Sequence, residues 1–92
     1  MKPKIEVDFN EIILGGQVLL SQTDYRKDVN GNNIFLTEGL EIDIFDIDYD
    51  DDNRRDDIIA SGTVTRCKDP LYKQVKWCCK LDSNWLRHTS DL

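Results

Sequence analysis

This chain has one histidine, two prolines, and no apolar run longer than three residues. A membrane-crossing helix needs about 20 consecutive apolar residues. The longest stretches, Ile12-Ile13-Leu14 among them, fall far short, so no membrane association is expected. The start, Met1-Lys2-Pro3-Lys4-Ile5-Glu6, is basic but lacks the apolar segment of a secretory leader. Three cysteines, an odd number, also fit a reducing compartment, so the expected location is the cytoplasm. Neighbouring residues of a strand face opposite ways, which makes a Cys78–Cys79 bridge poor and leaves Cys67 as the partner of either. A structural zinc needs four closely spaced ligands, and three cysteines with a distant His88 do not supply them. No metal or other cofactor is expected. Cys79 is assigned to the core, and Cys78, alternating outward between Lys76 and Lys80, to the surface.

The same shortages argue against an enzyme. Proton transfer near neutral pH falls most often to histidine, and His88 stands alone near the C-terminus. Gly15-Gly16 has neither the spacing nor the following lysine of a phosphate loop. The abundant carboxylates are concentrated in one wet segment, whereas paired acid–base carboxylates need contrasting environments. Direct nucleic-acid binding is disfavoured by a net charge of −6 and a short basic stretch.

What is present is a pattern of two-residue alternation in a chain long enough for one domain, residues 1–92. Ile5, Val7 and Phe9 alternate with charged residues, and Val75, Trp77, Cys79 and Leu81 do the same near the other end. Asp28-Val29-Asn30-Gly31-Asn32-Asn33 is the strongest hairpin signal, because Asn-Gly accepts positive φ. The longest strand signal runs from Leu40 to Tyr49. Its apolar phase slips between Ile44 and Phe45, which predicts a β-bulge there. Ile58 to Thr65 reads as a further strand with Ala60, Gly62 and Val64 on one face. Cys67 to Leu71 reads as a connector with one helical turn. Trp85 to His88 reads as a last strand returning onto the one before it. No window of helical period appears. Five to seven short strands with tight turns predict an all-β fold, a small antiparallel barrel of SH3-like type. Its expected core is Ile5, Val7, Phe9, Ile42, Ile44, Val64, Val75, Trp77 and Leu81.

Charge is distributed unevenly. From Glu41 to Asp57 there are nine acidic residues against Arg54 and Arg55, so this segment carries −7 and the rest of the chain sums to +1. Opposing it is Arg66 to Lys80, with five cations and only Asp69. Three readings apply. The segment is a solvated loop that keeps strand edges unpaired. Alternatively it is a weak divalent-cation loop, since Asp46, Asp48, Asp50 and Asp57 fall at positions one, three, five and twelve of the calcium loop. Against that, Asp51 replaces the glycine of the sharp turn, Arg54 holds the ninth position, and strands flank the segment. In the third reading Asp46, Asp48 and Asp50 form a row of charge about 6.6 Å apart along a strand. Such a row suits a basic protein partner, in the manner of small acidic inhibitor or immunity proteins. The third reading leads to an expectation of a non-catalytic interaction module. Its contact residues would be Asp46, Asp48, Tyr49, Asp50, Asp51, Asp52, Asp56, Asp57 and the turn residue Trp85.

Overall fold

A computed structural model describes residues 2–13, 16–82 and 86–89. Among these there is no α-helix, only nine short strands and two 3-10 turns, at Phe9–Glu11 and Pro70–Tyr72. The strands are β1 (Lys4–Glu6), β2 (Ile12–Ile13), β3 (Gln17–Ser21), β4 (Tyr25–Lys27), β5 (Asn33–Phe35), β6 (Glu41–Asp46), β7 (Ile58–Arg66), β8 (Trp77–Leu81) and β9 (Arg87–His88). No helix of the described residues is long and apolar enough to cross a membrane.

Seven strands form one sheet in the order β1-β6-β7-β8-β3-β2, with β9 added to β7, while β4 and β5 form a separate hairpin. The β4–β5 turn is the one the Asn-Gly pair predicts. Gly31 takes φ 82°, and Asp28 Oδ1 accepts the amides of Asn30 and Asn32 at 2.9 Å each. This hairpin is anchored to the main sheet by polar contacts. Val29 donates its amide to the Lys4 carbonyl at 2.8 Å, and the Arg26 guanidinium donates to the carbonyls of Leu20 and Glu6. Asp24, just before β4, accepts from the Trp77 indole at 2.9 Å and pairs with Lys76 at 2.6 Å.

The core is the inward phase of the strands. Ile5, Val18, Leu20, Ile42, Ile44, Ala60, Val64, Trp77 and Cys79 are buried together, joined by Phe9 from the first 3-10 turn and Leu36 after β5. β7 runs through the middle, bonded to β6 along Ile58–Thr63 on one edge, and to β9 and β8 on the other. Where β8 and β9 leave a gap, Asp82 donates its amide to the Ser61 carbonyl at 3.0 Å.

Several expectations are corrected. The sheet is not closed into a barrel among the described residues: its path ends at β1 and β2. It is not purely antiparallel, because β1 lies parallel to β6 with Ile5 opposite Ile44. Among the described residues the strands number nine rather than five to seven, since β1, β2, β4, β5 and β9 are short pieces of two or three residues. No bulge separates Ile44 from Phe45; the β6–β7 register is regular, with Ile44 opposite Ala60 and Phe45 opposite Ile59. The phase slip arises because both faces of the sheet are buried here, with Phe45 on the outer face under the Lys4 ammonium, 5.1 Å from its ring centroid. The register shift falls instead on β3, between Leu19 and Ser21. Val75 and Leu81 are half-buried rather than central, and β9 pairs with β7 instead of β8.

Cys78 is also corrected. It faces outward with Thr65 and Leu19, yet is fully buried, as is Cys79 on the inner face. Burial pushes both thiols up, that of Cys79 to about 12. Cys78 is therefore not the surface cysteine that strand alternation suggests.

One residue controls how closely β7 and β8 approach. A Cβ added at Gly62 would lie 2.4 Å from the Lys80 carbonyl oxygen and 2.6 Å from Cys79 Sγ. The first of these is backbone held in a ladder, so it cannot step aside. Gly62→Ala is expected to destabilise the protein by about 1–3 kcal/mol through overpacking, read as a lower urea midpoint. An unchanged midpoint would contradict this packing.

Candidate functional site

The acidic segment folds as an arm that continues the β6–β7 hairpin beyond its last paired rung, Asp46 opposite Ile58. Asp56 donates its amide to the Asp48 carbonyl at 2.8 Å, and Tyr49 bridges Arg55. The Asp50 amide then reaches the Arg54 carbonyl at 2.9 Å, and the Asn53 amide reaches the Asp50 carbonyl at 3.0 Å. The turn closes through a residue suited to the left-handed region, Asn53 at φ 61°. Asp50 supplies the second half of the closure, its Oδ1 accepting the amides of Asp52 and Arg54 at 2.9 Å each. This local side-chain bonding explains why a run of aspartates makes a defined turn.

The acidic residues separate into two groups. Asp46 accepts the Phe9 amide on Oδ2 at 3.1 Å and so holds the first 3-10 turn. Asp57 is buried and pairs with Arg55 Nε at 2.8 Å. The hydrogen bond from Arg55 holds the Asp57 carboxyl below the ordinary aspartate range. Asp56 accepts the Thr89 hydroxyl at 3.0 Å and lies 3.6 Å from His88 Nδ1, while Thr89 donates its amide to the Asp57 carbonyl at 3.0 Å. These three residues, with Asp50, hold the arm and the C-terminal strand in place. The carboxylates of Asp48, Asp51 and Asp52 have no partner among the described residues; the last two are exposed. Beside them stand Tyr49, 61% exposed, and Ile47, 40% exposed.

The predicted row of Asp46, Asp48 and Asp50 along one strand therefore does not exist. β6 ends at Asp46, and the Asp46 and Asp50 side chains turn onto backbone amides. The calcium-loop spacing is not realised either. No three His, Cys, Asp or Glu side chains among the described residues are grouped so as to hold a metal ion. Trp85 lies outside the described residues.

Spacing in sequence gave no sign of a second acidic concentration. A cleft of about 660 Å³ lies away from the tip and brings Glu6, Asp8, Glu11 and Asp46 around Arg26. Its residues come from four separate segments of chain. Arg26 does not present a free cation there, because its guanidinium is taken by two carbonyls.

No family model, curated protein or solved structure matches this chain.

Two outcomes follow from the arm's construction. Asp50→Ala should raise amide exchange at Asp52 and Arg54 by roughly tenfold, whereas Asp51→Asn should leave both unchanged. Equal effects would contradict the distinct roles of the two aspartates. The lowered Asp57 value adds a pH dependence. Its stabilisation is fully present above the unfolded value of about 3.9 and is lost as pH falls through the lower folded value. Carbon-detected titration should place the Asp57 midpoint below the usual range, and Arg55→Gln should return it there. A midpoint indifferent to Arg55 would show that the ion pair is not the cause.

Proposed function

We propose that the chain is a non-catalytic interaction module that presents the tip of its acidic arm to a basic protein partner, in the manner of an inhibitor or immunity protein. One observation carries the reading. Among the described residues Asp48, Asp51 and Asp52 are left unpaired beside the exposed Tyr49 and Ile47, on a turn already ordered by Asp50 and the Tyr49–Arg55 bridge. A turn ordered before encounter spares a complex part of its ordering cost. Unpaired like charges speed encounter with a positive surface, and a large, exposed aromatic anchor suits the centre of an interface.

The contact set is narrower than the acidic count suggests. Asp48, Asp51 and Asp52 with Tyr49 are the contact residues, and Asp46, Asp50, Asp56 and Asp57 position them. The competing reading is a structural domain whose acidic arm is merely solvated, or weakly binds a divalent cation. The structural form of that reading is supported by the internal use of four of the aspartates.

The test is affinity for a captured basic protein, measured against salt and against two variants. The Asp48→Asn, Asp51→Asn, Asp52→Asn triple variant should weaken binding roughly tenfold or more without lowering stability, and wild-type affinity should fall steeply with salt. Tyr49→Ala should raise the dissociation rate. Binding that ignores both salt and the triple variant overturns the proposal. A thermal midpoint that rises with millimolar Ca²⁺ or Mg²⁺ supports the competing reading instead.

A further inference from the structure

The connection from β7 to β8 and the start of β8 hold a pair of thiols that the acidic arm does not use. Cys67 lies one residue beyond the end of β7, and its amide donates to the Lys76 carbonyl at 2.9 Å. The β7–β8 ladder thus continues one step past Arg66–Trp77, in a register where Thr65 faces Cys78. Residues two apart on a strand share a face. Cys67 and Cys78 are therefore diagonal neighbours on the outer face of the sheet. Cys79 points the other way, into the core between Val18 and Val64. All three cysteines are free, with Cys67 partly exposed and Cys78 buried. The Cys78 thiol is pushed up first by burial and then by the neighbouring Cys67 side chain.

We propose that Cys67 and Cys78 form a redox pair that a low-molecular-weight disulfide converts into an intramolecular bridge, with Cys79 excluded. In the first step the partly exposed Cys67 gives up its proton and its sulfur attacks one sulfur of the small disulfide. A Cys67 mixed disulfide forms and one small thiol leaves. In the second step Cys78 gives up its proton and attacks the Cys67 sulfur, releasing the second small thiol. Two protein thiols are oxidised and one small disulfide is reduced to two thiols.

The second step is the slow one. Burial disfavours the Cys78 thiolate, and the attacking species in exchange is the thiolate. Diagonal strand neighbours also have Cα atoms about 7–8 Å apart, somewhat beyond the usual disulfide span of about 4.4–6.8 Å. Cys67 must therefore draw toward β8. Its position outside β7 permits this, because among the described residues a single backbone hydrogen bond, to the Lys76 carbonyl, ties it. The bridge would clamp the Cys67–Lys76 excursion onto the sheet.

The test incubates the reduced wild-type chain with oxidised glutathione, quenches it in acid, alkylates it in denaturant and maps the thiols by mass. A glutathione adduct on Cys67 is expected first, followed by a species two hydrogens lighter than the reduced protein. Fragmentation between Cys78 and Cys79 should place the bridge at Cys67–Cys78 and leave Cys79 alkylated. Cys78→Ser should stop at the adduct, and Cys67→Ser should resist modification altogether. The bridged protein should have a higher thermal midpoint that returns to its starting value on reduction. A Cys67 adduct that never resolves, a Cys67–Cys79 bridge, or a Cys67-linked dimer overturns the proposal. If Cys78→Ser does not fold, the wild-type map alone decides.

Discussion

The close approach of β7 and β8 at Gly62 is the constraint on which the rest of the fold depends. β7 is bonded on both edges, to β6 on one and to β8 and β9 on the other, and it contributes Ala60 and Val64 to the core. Where the strands come closest, the Lys80 carbonyl and the Cys79 sulfur occupy the space a side chain would need. Only glycine lets β7 keep the register that seats Cys79 against Val18 and Val64. That register also aims the acidic arm, because the β6–β7 pairing ends at Asp46 and Ile58 and the arm leaves from there.

The arm shows how a cluster of like charges is made compatible with order. Repulsion along a run of aspartates favours an extended, solvated chain, and four carboxylates are turned onto hydrogen-bond donors to offset it. Phe9 and Arg55 engage Asp46 and Asp57, Thr89 engages Asp56, and the turn's own amides engage Asp50. Two of these donors come from distant parts of the chain, so the arm is tied to both the first 3-10 turn and the C-terminal strand. The charge left over at Asp48, Asp51 and Asp52 is smaller than composition implies, and it is held in a fixed place.

Local chemistry was legible without a structure. Alternation located β1, β7 and β8, Asn30-Gly31 located the β4–β5 turn, and Asp69-Pro70 opened the second of the two 3-10 turns. Burial was legible where one face alone is covered, as at Ile5 and Ile42. It misled where both faces are covered. Phe45 and Cys78 occupy outward positions, yet Lys4 and the chain around Cys67 lie against them. A two-residue period cannot distinguish a solvated outer face from one covered by another segment. That ambiguity made Ile44–Phe45 resemble a bulge and Cys78 resemble a surface cysteine.

The sequence by itself determined the all-β class, the turn positions and the place where negative charge collects, because each depends on residues close together in the chain. Only the tertiary structure decided the parallel docking of β1 on β6, the open sheet and the division of the aspartates into holders and presenters. It also decided which thiol lies beside Cys67. These depend on which distant backbone amide, guanidinium or strand comes within reach, and a carboxylate or a thiol carries no local sign of the partner it will meet.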